Sequence, residues 1–329
     1  MDLKRKIPIA VIVLLHAACC FAQTETETAT PEESQAKEFV QEYSDAEVQE
    51  YEFGVRIQCS GGYAKSTTVN APIPIAWPEQ EIELYEETKS QNVSKIRVKK
   101  LGQTASVMAF AVPLIKDGQS AEAILRYRVK RRATLFPDDT TQFSFAKKLT
   151  GKLKAYLKPS PYIDSKNKRI KEIGKKIFED SKDLTAWEQV ESVYSWVREN
   201  VSYKFDTQIH TCEQALDSGH GDCEELSSLF IAICRTQGVP ARAVWVPGHT
   251  YPEFYLVDET GKGHWFPCEV TGTLHEFGEI QNDKPILQKG DRFKTPVATE
   301  IKRYVEAGLR SADATGALKV EHLMRKVEK

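Results

Sequence analysis

The feature that most constrains the fold of this chain is a strongly capped helix that begins at Cys223. Asp222 is a favourable N-cap residue, and Glu225 stands three positions later, where a capping box requires an acid. Apolar residues then recur at helical spacing: Leu226, Leu229, Phe230 and Ile233. Gly238 and Pro240 are typical of a helix that has just ended. The sequence therefore predicts an amphipathic helix with Cys223 in its first turn.

The position of Cys223 predicts a nucleophilic thiol. The first turn of a helix carries unpaired backbone N–H groups and the positive end of the helix dipole, and both favour the thiolate. His249 is the candidate base because it precedes an alternating run at 251–255, which is typical of a strand that could lie beside the helix. His264 competes as the base, although it stands next to the turn predicted at 258–263.

The base needs a group that orients it, and Glu269 is the candidate. In a strand predicted over 264–270, Glu269 shares a face with Trp265, and its carboxylate could fix the tautomer of the histidine. A developing oxyanion also needs donors. The backbone N–H of Cys223 is the natural first donor, and Gln214 and Tyr203 are the candidates for a second.

The patterning of the chain changes along its length. Residues 23–45 are polar and predict a disordered tether. Short alternating runs separated by turn signals follow up to residue 158 and predict a β-sandwich-like domain. Helical spacing then takes over, including a helix predicted to begin at Thr185 with Glu188 completing a capping box. After residue 285 we expect a charged surface extension with a short helix over 301–309.

The N-terminal residues 1–22 are typical of an export signal. Basic residues at 4–6 precede an apolar run that is too short for an ordinary membrane span, and small residues stand before a cleavage position after Ala22. Cys19 raises the alternative of a lipoprotein, but His16 fits that motif poorly, and a retained anchor is the other alternative. We expect a secreted or periplasmic protein without a stable membrane span after cleavage.

Net charge, cysteine count and residue spacing limit the classes of partner and cofactor to be expected. A formal charge of −2 argues against a strongly basic nucleic-acid binder. Five cysteines remain after residue 22, so at least one thiol stays free or pairs between molecules. Four residues could be read as a zinc site, namely His210, Cys212, His220 and Cys223. Their spacing is cramped, and we therefore expect neither metal nor cofactor. A disulfide between Cys212 and Cys223 stays open.

At this point the chain resembles the transglutaminase-like superfamily, a branch of the papain-like cysteine hydrolases and acyltransferases. The matching pieces are residues 196–203, 221–223, 229–235, 238–242 and 249–255. The resemblance covers roughly residues 185–272 and implies an α+β core with a Cys–His–Asp triad, residue by residue Cys223, His249 and the position of Glu269. This chain departs from the family at Glu269, where an aspartate is usual, and at Thr250 and Tyr251, where Ala-Trp is usual.

Together these patterns predict an α+β protein whose N-terminal β-sandwich-like domain precedes a transglutaminase-like domain. The predicted segments are an export signal at 1–22, a tether at 23–45, a β-sandwich-like domain at 46–158, a transglutaminase-like domain at 159–284 and an extension at 285–329. The predicted function is acyl transfer on amide or peptide bonds of a protein or peptide substrate, as a protease or amidase or as a transglutaminase. The alternative is a catalytically silent module that binds peptide or cell-envelope partners.

Overall fold

A computed structural model describes residues 36–294 and 300–328. The predicted export signal and most of the predicted tether lie outside the described residues. Within them the protein is a strand-rich mixture of α and β structure. The first six strands are β1 (Glu47–Ser60), β2 (Tyr63–Ile73), β3 (Gln80–Lys89), β4 (Arg97–Leu101), β5 (Ala105–Lys116) and β6 (Ser120–Arg131).

The helices follow these strands. They are α1 (Gly151–Lys154), α2 (Lys168–Asp180), α3 (Ala186–Asn200), α4 (Cys212–Ser218) and α5 (Cys223–Thr236). Thr185 and Glu188 form the predicted capping box of α3, and Gly238, just beyond the end of α5, has φ +81°. The sequence therefore predicted the main helices from capping and apolar spacing.

The remaining strands range from two to ten residues in length. They are β7 (Ser202–Tyr203), β8 (His220–Gly221), β9 (Ala241–Val246), β10 (His249–Val257), β11 (Gly263–Pro267), β12 (Gln288–Lys289), β13 (Gly308–Arg310), β14 (Asp313–Ala314) and β15 (Ala317–Lys326). No helix of the described residues is long and apolar enough to cross a membrane.

Two larger sheets organise the strands. One has the order β15-β1-β6-β3, and the other has the order β11-β10-β9-β12-β5-β2-β13, with β4 paired to β5 and β14 paired to β2. Buried side chains of β1, β2, β5 and β6 form one hydrophobic core. A second core surrounds α5, where nearly every residue from Glu225 to Arg235 is buried. The second sheet is continuous between the two cores because Gln288 of β12 pairs with both Ala105 and Trp245.

The C-terminal prediction was wrong in two respects. No helix forms over 301–309, and the final segment is not a loose surface extension. Its last strand, β15, pairs along ten positions with β1, from Tyr51 opposite Lys326 to Ser60 opposite Ala317. The many charges of this strand belong to an edge strand, whose exposed face is polar while Leu323 is buried.

Buried ion pairs connect the second sheet to both cores. Lys289 of β12 contacts Glu79 and Glu253, and Glu253 also pairs with Arg242 across β9 and β10 at 2.7 Å. At the far end of α5, Arg235 pairs with Asp291 at 2.6 Å, with both side chains fully buried. Such pairs are costly to break, because each partner would leave an uncompensated charge inside the protein. They attach β10 to Lys289 and the end of α5 to Asp291, two residues further along the chain.

Candidate active site

Cys223 is the first residue of α5 and is half-buried. The capping box forms as predicted: a carboxylate oxygen of Asp222 accepts from the N–H of Glu224 at 2.7 Å, and Oε2 of Glu225 accepts from the N–H of Asp222 at 2.9 Å. These bonds define the turn that carries the thiol. Cys223 therefore lies in the first turn of a capped helix.

Gly221 allows this turn to pack closely. A Cβ at residue 221 would lie 2.6 Å from the Cβ of Glu225, which is closer than side chains come. Glu225 is nearly fully buried, and its second oxygen accepts from the N–H of His210 at 2.7 Å. One carboxylate thus connects the helix start, the preceding strand β8 and the loop before α4.

His249 is the first residue of β10 and lies close to Cys223. It follows Gly248, whose φ of +67° permits the tight turn from β9. Its ring Nε2 is 2.7 Å from Oε2 of Glu269, and the imidazole lies within hydrogen-bonding reach of Cys223. Because Glu269 occupies Nε2, Nδ1 is the ring nitrogen that remains for the thiol. The structure therefore brings together the three side chains that the sequence singled out.

Glu269 reaches His249 from outside the strand that was predicted to carry it. The strand expected over 264–270 ends at Pro267, so alternation along a strand does not orient this side chain. Local bonds orient it instead. Its Oε1 accepts from the N–H of Thr271 at 3.0 Å and from the Thr271 hydroxyl at 2.6 Å, and its backbone oxygen accepts from Arg198 at 3.1 Å.

The charges of the site reinforce one another. Burial alone would lower the pKa of His249, but its hydrogen bonds to Cys223 and Glu269 raise that pKa to about 9. Burial alone would raise the pKa of Glu269, but the bonds from His249 and Thr271 lower it. At neutral pH the imidazole is therefore protonated and the carboxylate is ionised, so that a cationic ring lies beside the Cys223 side chain.

The pKa of a second carboxyl group of the site, that of Asp222, is raised. Burial and the neighbouring carboxyl of Glu225 raise the pKa of Asp222 to about 7. The Glu225 carboxyl lies against Asp222, and two carboxylates in contact cannot both ionise easily. The N-cap of α5 is thus held partly protonated at neutral pH, which limits the negative charge beside Cys223.

The two candidates for a second oxyanion donor lie in different surroundings. Gln214 is committed to the capping box of α4, where its Oε1 accepts from the N–H of Thr211 at 2.8 Å. Tyr203 pairs with Gly221 in the short parallel sheet of β7 and β8, and Gly221 stands two residues before Cys223. Burial and the neighbouring groups of Cys223, Asp222 and Glu269 raise the pKa of its hydroxyl.

The competing residues lie in other arrangements. His264 hydrogen-bonds to Asp258 at 2.8 Å. The thiol of Cys212 donates to the backbone oxygen of Tyr162 at 3.0 Å, and His210 pairs with Asp206 at 3.2 Å. Within residues 36–294 and 300–328, no three His, Cys, Asp or Glu side chains are grouped to hold a metal, and the five cysteines are free thiols.

Arg303 and Thr271 complete the surroundings of the site, and sequence reasoning had not identified them. Arg303 forms an ion pair with Glu224, and its guanidinium lies over the ring of Trp245 at 5.2 Å. It stands 80 positions after Cys223 in the chain, and no local pattern connects the two. Thr271 carried a signal that could have been used, since a hydroxyl two residues after a carboxylate commonly bonds it.

Comparison with known proteins agrees with this geometry. Residues 171–270 match the model of the transglutaminase-like superfamily. This part of the chain is a transglutaminase-like domain. The match includes α3, α5 and the three side chains at the centre of the site, and it confirms the resemblance inferred from the sequence. No curated protein gives a significant match to the chain.

Two solved structures are similar to this protein. A candidate cysteine protease from Cytophaga hutchinsonii aligns with a TM-score of 0.55 and 16% identity, over 88% of this chain and 94% of that one. At this identity the likeness concerns the fold alone, and it extends beyond the transglutaminase-like domain to most of the protein. A candidate protease from Parabacteroides distasonis aligns over 72% of this chain and 71% of its own, with 10% identity and a TM-score of 0.25, too low to inform the fold.

Proposed function

We propose that this protein is an exported cysteine hydrolase that cleaves amide or peptide bonds through Cys223, His249 and Glu269. The observation that carries the proposal is the position of His249, which is hydrogen-bonded to Glu269 at 2.7 Å and lies within reach of the Cys223 thiol. A nucleophile, a base and a group that orients the base are the components that nucleophilic acyl transfer requires. The transglutaminase-like match supports this reaction class.

The proposed reaction has two steps. The Cys223 thiolate attacks the carbonyl carbon, a C–S bond forms, and the C–N bond breaks as the His249 imidazolium gives its proton to the leaving amine. Water then attacks the thioester while neutral His249 takes a proton from it. A C–O bond forms, the C–S bond breaks, and the thiolate–imidazolium pair is restored with a carboxylic acid as product. Glu269 stays ionised and holds the imidazole in position.

Two donors stabilise the oxyanion in this proposal. The backbone N–H of Cys223 belongs to the first turn of α5, where no helical carbonyl precedes it. The hydroxyl of Tyr203 is the proposed second donor, because Tyr203 pairs with Gly221, which stands two residues before Cys223. A single donor of this kind contributes about 10²–10³-fold to the rate in well-studied enzymes.

Hydrolysis is favoured over transfer to an amine because water needs no second binding site. The chain would act in a secreted or periplasmic location if residues 1–22 direct export. In this proposal the strands before residue 132 form a β-sandwich-like domain. The opposed sheets and their common hydrophobic core support this architecture. The silent-module alternative rested on Glu269 in place of aspartate, and the 2.7 Å bond to His249 gives it no support.

Thiol labelling tests the proposal directly. Iodoacetamide at pH 7 should modify Cys223 faster than the four buried cysteines, because burial raises the pKa of the Cys212 thiol to about 12 and also raises those of Cys234 and Cys268. Peptide mapping by mass spectrometry identifies the labelled residue. Cys223→Ala should abolish both labelling and amide hydrolysis, with a loss of about 10⁴-fold or more.

Cys212→Ala is the matched control, since it removes a thiol eleven positions earlier in the chain and should leave the labelling of Cys223 intact. A folded protein in which Cys223 reacts no faster than Cys212 would contradict the proposal. Activity that survives in Cys223→Ala would also contradict it.

A further inference from the structure

We propose that Tyr162, Tyr203, Phe205 and Ile209 form a substrate subsite that takes a bulky apolar side chain of the peptide next to the scissile bond. We refer to these four residues as the aromatic rim. The inference rests on the proposed function and adds a substrate class to it. It follows from three features of the rim: its exposure, the bonds that hold it beside the start of α5 and the charges near it.

The rim exposes a concentration of apolar surface. Phe205 is 71% exposed, Tyr203 54%, Tyr162 40% and Ile209 37%. Three of the four fall within residues 203–209, which comprise the end of β7 and the loop after it, whereas the other exposed large apolar side chains are scattered over the described residues. Single exposed apolar residues need no explanation, but a cluster at one place typically marks a binding site.

Backbone and side-chain bonds hold the loop against the helix that carries Cys223. The N–H of Lys204 donates to the backbone oxygen of Gly221 at 2.8 Å, and the N–H of His210 donates to Glu225 at 2.7 Å. Within the loop, Asp206 pairs with His210 at 3.2 Å. Both ends of the loop are therefore attached within two residues of Cys223, and its apolar side chains project from a fixed frame.

Tyr162 joins the rim from a different part of the chain. Its backbone oxygen accepts from the thiol of Cys212, at the helix that the loop leads into, and the guanidinium of Arg303 lies over its ring at 5.5 Å. Arg303 in turn pairs with Glu224, the neighbour of Cys223. Tyr162 also has φ +67°, a conformation that is uncommon for a bulky residue and is often maintained at functional sites.

The charges near the rim narrow the substrate class further. Arg303 already pairs with Glu224 and His210 with Asp206, so an acidic side chain on the peptide would add a carboxylate to groups whose cations are already paired. An aromatic or large aliphatic side chain would instead bury the exposed rings and displace the water around them. The preferred substrates are therefore peptides with Phe, Tyr, Leu or Met beside the cleaved amide, with Ala weaker and Glu weakest.

Peptides that differ at one position test this preference. For amides carrying Phe, Ala or Glu beside the scissile bond, kcat/KM should fall in that order, with a ratio of Phe to Ala of about tenfold or more. Phe205→Ser combined with Ile209→Ser should reduce that ratio toward one. Val40→Ser and Leu184→Ser remove exposed apolar side chains away from the rim, at 72% and 46% exposure, and should leave the ratio unchanged.

A binding measurement separates this inference from the proposed function. Cys223→Ala keeps the rim but lacks the nucleophile, so fluorescence polarisation with labelled Phe and Ala peptides measures affinity without turnover. Tighter binding of the Phe peptide that disappears in the Phe205→Ser, Ile209→Ser background supports the rim even if no hydrolysis is ever detected. Equal binding of the two peptides would overturn the rim and leave the proposed function standing. The same conclusion would follow if the Phe205→Ser, Ile209→Ser variant kept the ratio of kcat/KM between the Phe and Ala peptides while Cys223→Ala abolished hydrolysis.

Discussion

Two histidines on neighbouring strands each hydrogen-bond to a carboxylate, and their surroundings differ. His249 of β10 is 2.7 Å from Glu269, and His264 of β11 is 2.8 Å from Asp258. Their side chains are similarly sheltered, at 18% and 11% exposure. Only His249 lies beside a thiol at a helix start. A histidine–carboxylate pair is thus insufficient to identify a site, and the group that the other ring nitrogen faces decides its role.

The surroundings of His264 are those of a packing residue. Its ring lies edge-on to Phe39 at 5.0 Å and near Phe143 and Phe266. Asp258 accepts from the N–H of Phe39 at 3.1 Å as well as from the turn residues Thr260 and Lys262. This pair therefore fastens the N-terminal part of the described chain to the β10–β11 hairpin.

Replacing each histidine by alanine gives the largest expected difference between the two pairs. His249→Ala should lower kcat/KM for amide hydrolysis by about 10⁴-fold, because base and proton donor are lost together. His264→Ala should leave kcat/KM nearly unchanged but lower Tm, because it opens a cavity among aromatic rings. Steady-state kinetics and thermal unfolding of both variants check this. Equal losses of activity would mean that the two histidines do not differ in role.

The sequence predicted the members of the site better than their supports. Cys223 and the start of α5 were predictable because capping and apolar spacing are local patterns. Glu269 was identified from the alternation of a strand that was predicted to reach residue 270. The strand ends at Pro267, and the bonds from Thr271 orient Glu269 instead. The roles of Arg303 and β15 could not be predicted, since they depend on pairing between segments far apart in the chain.

Shortening the carboxylate side chain of the His249–Glu269 pair should give the next largest effect on activity. Glu269→Asp should lower kcat by about 100-fold, because one methylene fewer withdraws the oxygen from His249 by roughly an ångström. An aspartate is usual at this position in the family that the chain resembles, but here the glutamate carboxylate is held by Thr271 while it bonds to His249. Asp258→Glu at the other pair is the matched control and should affect Tm only. A rate gain in Glu269→Asp would show that the glutamate is a poor substitute.

The pH dependence of kcat/KM should also distinguish the two histidine–carboxylate pairs. In the proposed reaction His249 is protonated before it releases the leaving amine, and its pKa is raised to about 9, so the alkaline limb of kcat/KM should lie near pH 9. The Glu269 carboxylate is one cause of that raised pKa. Glu269→Gln should therefore move the limb to lower pH, whereas Asp258→Asn should leave it in place. A limb that moves upward in Glu269→Gln would contradict the assigned roles.

The smallest expected effect is on the stability of the protein at acid pH, through the Asp258–His264 pair. Hydrogen bonds from Thr260, His264 and the backbone of Phe39 lower the pKa of Asp258 despite its burial. A carboxyl group whose pKa is lower in the folded protein stabilises it above the unfolded value of about 3.9, and this contribution is lost as pH falls further. Asp258→Asn should therefore lower Tm at pH 7 by roughly 2–4 °C, with the difference from the unmodified protein shrinking below about pH 3. Thermal unfolding between pH 2 and 7 measures this, and a difference that stays constant across that range would mean that the ionised carboxylate is not the stabilising form.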